Sequence, residues 1–426
     1  MSVLDELAWR GLLQDSTDGT ADHFAEGPRS VYIGFDPTAD SLHVGSLLPI
    51  MILVHLQRAG HHPIALVGGA TGLIGDPSFK NRERPLLTRE TMEANAAGIR
   101  AQLEHFLDFE TAENPARMRN NLDWLGQTNV LDFLRDTGKH FSVNAMLRKE
   151  SVRRRVESDE QGISFTEFSY QLLQAADFLH LYREDGCTVQ MGGSDQWGNI
   201  TAGIDLVRRS AGGHAFGAVS PLVTTAAGTK FGKTEAGTVW LDANRTSPYR
   251  FYQFWVNVPD ADVGRFLRYF TLMPREEIEA LDAATEAEPH RRAAQKALAE
   301  EVTGRVHGEA GLARAKMATE ALFGGSLDGL DADDIADIFA DVPSSTTPGD
   351  ALAGEGVELL DLLASTGLCS SKGDARRSIE GGGVYLNGVR VDDTGARVDA
   401  GAFVDGRFLV LRKGKRRYHL VEVAEG

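Results

Sequence analysis

Residues 29–58 read RSVYIGFDPTADSLHVGSLLPIMILVHLQR, and this stretch decides the fold. Arg29 to Phe35 has the β-branched and aromatic composition of a strand, and Leu47 to Arg58 reads as an apolar helix. The stretch joining them, GFDPTADSLHVGS from Gly34 to Ser46, is longer than the roughly 4–6 residues usual in a compact domain. It is also crowded with a histidine, glycines, hydroxyls and carboxylates. A strand followed by glycines and a helix start aims backbone N–H groups and the positive end of the helix at any bound anion. Ligands of open α/β sheets sit at the carboxyl ends of strands, so Thr38 and His43 are placed to meet a phosphate. Taken alone, His43 reads more readily as a capping or loop-filling histidine.

The alternation continues along the chain. Pro63 to Gly69, Cys187 to Gly193 and Gly217 to Thr225 read as strands. Residues 4–14, 88–109 and 164–181 read as helices, and Ser194-Asp195 caps another that runs to Arg209. Strands alternating with helices predict parallel βαβ units, hence an α/β protein with a Rossmann-like parallel-sheet nucleotide-binding domain. After Ser247-Pro248 only helical periodicity remains, rich in Ala, Glu, Leu and Arg. Residues 325–354 turn to Gly, Asp, Ser, Thr and Pro, the composition of a linker. From Val357 short helices give way to strands, with Asn387-Gly388 as a type I′ hairpin signal. The expected organisation is a catalytic domain over 1–246, a helical domain over 247–324, a linker over 325–354 and a small α+β domain over 355–426.

The chain has 426 residues, 42% hydrophobic and 25% charged, as an ordinary soluble protein of two or three domains does. Cys187 and Cys369 lie far apart, which argues against a disulfide framework or a zinc site and suits a reducing cytoplasm. The start, MSVLDELAWRGLLQD, is acidic and unlike a secretory signal. The longest apolar run, Leu47 to Leu56, is interrupted by Pro49 and His55 and falls short of the ~20 residues that span a bilayer. A net charge of -17 opposes nucleic-acid binding on average. Two local runs, RKESVRRR at 148–155 and RFLVLRKGKRRYH at 407–419, run against that average, although such runs are ordinarily solvated faces.

A second candidate site is TKFGKT, Thr229 to Thr234, in which two lysines and a threonine flank a glycine. It is not a Walker loop, because GTKFGKT is one residue short between its glycines. By itself it reads as a surface turn. Together, however, HVGS and KFGKT resemble the two signatures of class I aminoacyl-tRNA synthetases. Longer segments narrow the match: GFDPTADSLHVG, LVGGATGLIGDPS, SYQLLQAADF, QMGGSDQWGNIT, PLVTTAAGTKFGKTE and TSPYRFYQFWVN are similar, in order and spacing, to the bacterial tyrosyl-tRNA synthetase family. LLDLLASTGLCSSKGDARRSIEGGGVYLNGVRV resembles an S4-type RNA-binding domain. Two positions depart from the family pattern. Ser46 stands where the first signature has a second histidine, so that histidine's role is not carried over, and Phe79 stands where a smaller residue is expected.

The resemblance implies a tyrosine–tRNA ligase. Tyrosine's carboxylate attacks the α-phosphate of ATP, and the tyrosyl group then passes to the 3′ end of tRNA(Tyr). A carboxylate needs no base to act as nucleophile, so such a site mainly positions groups and stabilises charge. The catalytic residues implied are Thr38 and His43 on one side and Lys230, Lys233 and Thr234 on the other. Tyrosine binding falls to Tyr32, Gly34, Asp36, Asp76, Tyr170, Gln174, Asp177, Gln190 and Gln196. A phenol both donates and accepts, so Asp177 is expected to accept its hydrogen and Tyr32 to donate to its oxygen. Tyr170, Gln174 and Asp177 fall at i, i+4 and i+7 of one helix face, interleaved with Phe168, Leu172, Leu173 and Phe178. ATP binding is carried over to Asp36, His43, Gly45, Ser46, Gly193, Asp195, Lys230, Phe231 and Lys233. The tRNA is assigned to Lys80, Arg82 and Arg84, and to Lys372, Arg376, Arg377, Arg412, Lys413, Lys415, Arg416 and Arg417. Mg²⁺ is expected with ATP, no metal ligands and no zinc are expected in the chain, and a homodimer is expected to form through about 120–170. The rival readings are a tryptophanyl enzyme, another adenylate-forming nucleotidyltransferase, and a non-enzymatic RNA-binding protein derived from a synthetase. An indole only donates, so the Tyr32–Asp177 pair suits a phenol better.

Overall fold

A computed structural model describes residues 2–76, 88–149, 152, 153, 156, 163–228, 231–234 and 237–424. They divide into two units, Met1–Arg245 with Val258–Leu298, and Thr246–Asn257 with Ala299–Gly426. No helix among the described residues is long and apolar enough to cross a membrane.

The first unit is built on a six-stranded sheet of β1 (Asp15–Ser16), β2 (Ser30–Phe35), β3 (His62–Val67), β4 (Arg117–Asn120), β5 (Cys187–Gly193) and β6 (Phe216–Ser220). Its spatial order is β1-β6-β5-β2-β3-β4. All neighbours are parallel except β1, which pairs antiparallel with β6 at one edge. The helix Leu47–Arg58 joins β2 to β3, and its buried Leu47, Leu48 and run Ile50 to Leu56 explain why it is apolar almost all round. The chain leaves β2 towards β3 on one side, while β5 lies on the other. That reversal opens a crevice at the carboxyl ends of β2 and β5.

Several expected elements run shorter than read. The first helix stops at Trp9, the helix capped by Thr88 stops at Leu103, and the strand expected over 217–225 ends at Ser220, just before Pro221. A proline cannot donate to the sheet ladder. A small hairpin follows, formed by β7 (Lys233–Thr234) and β8 (Gly237–Thr238).

The second unit corrects the expected organisation. Residues 325–354, read as a linker, contain the helix Ala332–Ile338, capped by reciprocal hydrogen bonds between Asp331 and Asp334. They also contain β9 (Ser344–Thr347). Leu327, Leu330, Ile335, Ile338 and Phe339 lie in one core with Tyr249, Ala318, Phe408, Val410 and Leu420. Polar residues dominate the segment, but its larger apolar residues Leu327, Leu330, Ile335, Ile338, Phe339 and Leu352 are all buried. For the same reason the helical stretch 247–324 is not a domain by itself, since Pro248–Val256 joins this core.

Downstream lie β10 (Val357–Glu358), β11 (Val384–Leu386), β12 (Val389–Arg390), β13 (Arg397–Val398), β14 (Phe408–Lys413) and β15 (Arg417–Val423). They form the sheet β12-β11-β14-β15-β9, with β9 parallel to β15, and a separate β10-β13 pair. The expected hairpin is present, with Asn387 at φ 44° and Gly388 at φ 82°, the positive values a type I′ turn requires.

Candidate active site

The crevice holds a cavity of about 190 Å³ in the first unit. All nine residues expected to bind tyrosine line it: Tyr32, Gly34, Asp36, Asp76, Tyr170, Gln174, Asp177, Gln190 and Gln196. Most come from elements the sequence dictates, while Asp76 follows the short helix Thr71–Ile74 and Gln196 lies in the turn Ser194–Gln196. β2 brings Tyr32, Gly34 and, just past its end, Asp36, while β5 brings Gln190. The helix Phe165–Glu184, capped by Ser164, presents Tyr170, Gln174 and Asp177 on one face. At Gly34 neither a positive φ nor a crowding neighbour calls for a glycine, so its missing side chain serves the open space of the cavity.

The floor is a network of directed hydrogen bonds. Asp177 is 1% exposed, and its two oxygens accept from Asn121 Nδ2 at 2.9 Å and Trp124 Nε1 at 2.8 Å. Asn121 is itself fixed, accepting from the Ala70 N–H at 2.7 Å and donating to Thr71 Oγ1 at 3.0 Å. Thr71 and the Tyr170 hydroxyl both donate to Asp36, each at 3.2 Å, and Gln196 Nε2 donates to Asp76 Oδ2 at 2.7 Å.

Burial pushes the Asp177 carboxyl up to about 7, against the two donors that hold it down and with Asp36 adding to the rise. Burial likewise holds the Tyr32 and Tyr170 hydroxyls well above the ordinary phenol range, so both stay protonated donors. Three buried atoms, Tyr32 OH, Gln174 Oε1 and Gln190 Oε1, have no hydrogen-bond partner among the described residues. Native interiors rarely leave such groups unsatisfied. All three belong to residues that line the cavity, so a ligand with its own donors and acceptors would complete them.

The phosphate side gathers around the opening loop. His43 caps the short turn Val44–Ser46 and accepts the Gly45 N–H on Nδ1 at 3.0 Å, which leaves Nε2 to carry the proton of the neutral ring. Ser46 precedes the helix Leu47–Arg58 and makes no side-chain cap. Thr38 is exposed, with its N–H on the Asp36 carbonyl at 2.8 Å. Gly193, which lines the cavity, leads into the turn carrying Asp195 and Gln196.

The two signature stretches meet. Val44 donates to the Val239 carbonyl at 3.0 Å, and Val239 donates to the Gly232 carbonyl at 3.1 Å. Gly232 sits at φ 83°, where a Cβ would come within 2.7 Å of Val44 Cγ2, so both backbone and space call for glycine there. Phe231 is a residue of this stretch expected at ATP. Its side chain is buried against Phe266 and Phe270, with ring centroids 4.7 and 5.5 Å away, and so anchors the loop. Lys80, Arg82, Arg84 and Lys230 lie outside the described residues, as do the side chains of Lys233 and Thr234.

The basic residues of the second unit divide. Lys372, Arg376, Arg377, Lys415, Arg416 and Arg417 are exposed, with Lys372 paired to Asp361. Arg412 is not on the surface. It is 8% exposed, and its guanidinium lies 3.7 Å over the Tyr385 ring, because its place in β14 turns it inward. Lys413 pairs with Asp374 at 2.8 Å and holds that carboxyl down at about 2.

Sequence reasoning missed Thr71, Asn121 and Trp124. The strand before Asn121 reads RMRN, without the apolar run that reveals a buried strand, so nothing in the chain announced that its end reaches the cavity.

Residues 25–324 match the family model described as tRNA synthetases class I (W and Y), so fold and site define a class I aminoacyl-tRNA synthetase. Residues 334–421 match the tyrosine–tRNA ligase SYY-like C-terminal domain. A tyrosine–tRNA ligase of Roseiflexus castenholzii is 59% identical over 99% of both chains. That of Geobacillus stearothermophilus is 55% identical over the whole of both. A C-terminally truncated mitochondrial tyrosyl-tRNA synthetase of Aspergillus nidulans superposes with a TM-score of 0.69 at 33% identity, covering 76% of this chain and 94% of its own. A tryptophanyl-tRNA synthetase of Encephalitozoon cuniculi, at 13% identity and a TM-score of 0.52, shares the fold alone. The chain belongs to the tyrosine–tRNA ligase family.

Proposed function

We propose that the cavity takes L-tyrosine with its phenol between Tyr32 and Asp177, and that ATP enters over the His43 turn. The observation that carries this reading is the set of three orphaned buried atoms around an already ordered Asp177. A phenol donates to Asp177 and accepts from Tyr32, and the substrate ammonium finds acceptors in Asp76, Tyr170 and Gln174. Gln190 Oε1 awaits a donor from the same ligand. Asp36 and Gln196 flank the reacting carboxylate. Gly45, Ser46, Gly193 and Asp195 hold the nucleotide. Thr38 and His43, with Lys230, Lys233 and Thr234 from the second loop, stabilise the charge on departing pyrophosphate.

Mg²⁺ arrives as the counter-ion of the ATP phosphates. Among the described residues no three His, Cys, Asp or Glu converge as metal ligands. The exposed cations Lys415, Arg416, Arg376 and Arg377 meet phosphates of tRNA(Tyr), with Lys80, Arg82 and Arg84 at its acceptor end. The chain works as a homodimer. Exposed Val130, Leu131, Leu134, Val143 and Leu147, with Phe165 at 77% exposure, support an interface there. Its two free, buried cysteines suit the cytoplasm. ATP–pyrophosphate exchange with each of the twenty amino acids is the test. Exchange driven by tyrosine alone is expected, and exchange driven by tryptophan would overturn the assignment.

A further inference from the structure

Asp177 owes its place to two donors of unequal firmness. Asn121 is fully buried and bonded on three sides, to the Ala70 N–H, Thr71 and Asp177. Trp124 is only half-buried, and the one hydrogen bond its indole makes among the described residues is Nε1–H to Asp177 Oδ1. What fixes the plane of the indole, and so the direction of that N–H, is packing on its faces. His180 supplies it. Its imidazole lies parallel to the indole, with centroids 4.1 Å apart and an interplanar angle of 13°. His180 sits one turn beyond Asp177 on the helix Phe165–Glu184, so one helix carries both the acceptor and the clamp on the acceptor's donor.

The His180 ring nitrogens make no hydrogen bond among the described residues, which leaves stacking as the ring's specific contact. Burial and Arg119 lower the imidazole pKa, while Glu184 and Asp185 raise it. The ring is neutral near pH 7, so the contact is aromatic stacking.

We propose that His180 is a positioning residue: by clamping Trp124 it aims the indole N–H at Asp177 and so sharpens the choice of tyrosine over phenylalanine. The proposal rests on Asp177 as the acceptor of the substrate hydroxyl. An aromatic pair of this geometry contributes enough to change affinity about 2- to 10-fold.

The experiment is ATP–pyrophosphate exchange on the full chain, its His180→Ala and its His180→Phe variants, with tyrosine and with phenylalanine. His180→Ala is expected to raise KM for tyrosine about 2- to 10-fold. Its kcat and KM for ATP should stay near the starting values, and its preference for tyrosine over phenylalanine should fall. His180→Phe keeps a flat ring over the indole and is expected to restore KM and preference. If both variants match the parent, or if His180→Phe is as impaired as His180→Ala, the proposal is overturned. A parent chain that shows no tyrosine-dependent exchange would instead overturn the reading of the site, independently of either variant.

Discussion

Replacing Asp177 by asparagine tests the electrostatics of the cavity floor without ligand. The carboxyl stands at about 7 in the folded chain against an ordinary 3.8, chiefly because burial disfavours its charge. A folded pKa above the unfolded one means that the folded state holds the proton more tightly. Its contribution to stability is full below about pH 4 and is lost as pH rises through about 7. The rise is about three pH units, or roughly 4 kcal/mol at about 1.4 kcal/mol each. About two of these units, near 3 kcal/mol, fall between pH 5 and pH 8.

Asparagine carries no such charge, so Asp177→Asn should lack this loss. Its amide cannot accept from both Asn121 and Trp124, which costs about 1–3 kcal/mol, but at every pH alike. The difference between parent and variant should therefore move by about 3 kcal/mol in the variant's favour from pH 5 to pH 8. The assay is urea unfolding of the ligand-free chains at both pH values, following the transition that tyrosine shifts upward. A parent and variant whose difference is the same at both pH values would refute the reasoning.

Other perturbations follow from the same geometry. Gly232→Ala forces a side chain against Val44 at a positive φ, a strain of about 1–3 kcal/mol that should slow single-turnover adenylate formation about 10-fold or more. Equilibrium tyrosine binding in that variant should stay within about 2-fold, because Gly232 is outside the cavity lining. Phe165→Asp places a charge on an exposed apolar residue and should shift the proposed dimer to monomer by light scattering. Lys415→Glu with Arg416→Glu should leave pyrophosphate exchange intact and lower the log–log salt slope of tRNA binding by about one unit per lost phosphate contact. Ending the chain near Asp341 is a poorer test of the basic face, because it would strip Phe408, Val410 and Leu420 from the core that holds Phe339.

The sequence was legible where burial and period agree. The helix Leu47–Arg58 and the strand Cys187–Gly193 have the bounds their composition gives, the helix as an apolar run and the strand as a stretch ended by two glycines. The i, i+4, i+7 triplet of Tyr170, Gln174 and Asp177 was legible as a face because apolar residues frame it. What stayed hidden was held by tertiary contact. β1 has two polar residues and exists only by pairing with β6. β9 reads SSTT and is a strand because β15 offers it a parallel edge. Arg412 looks like its exposed neighbours in the chain, and only the alternation within β14 and the Tyr385 ring turn it inward. Asn121 and Trp124 follow a polar strand, so their reach to Asp177 depends on the sheet order, which no local pattern encodes.

The central claim is that Tyr32 and Asp177 read the substrate's hydroxyl, and Tyr32→Phe tests it most directly. The Tyr32 hydroxyl is buried and has no hydrogen-bond partner among the described residues. With phenylalanine bound, the Tyr32 hydroxyl is left unpaired and Asp177 keeps only Asn121 and Trp124, losing the bond from the substrate hydroxyl; at about 1–3 kcal/mol for each loss, the parent should prefer tyrosine by about 10² or more. The measurement is kcat/KM for pyrophosphate exchange with tyrosine and with phenylalanine, in parent and variant. The account predicts that Tyr32→Phe lowers the value for tyrosine while holding or raising that for phenylalanine. Equal losses for both amino acids would contradict it and make Tyr32 a packing residue.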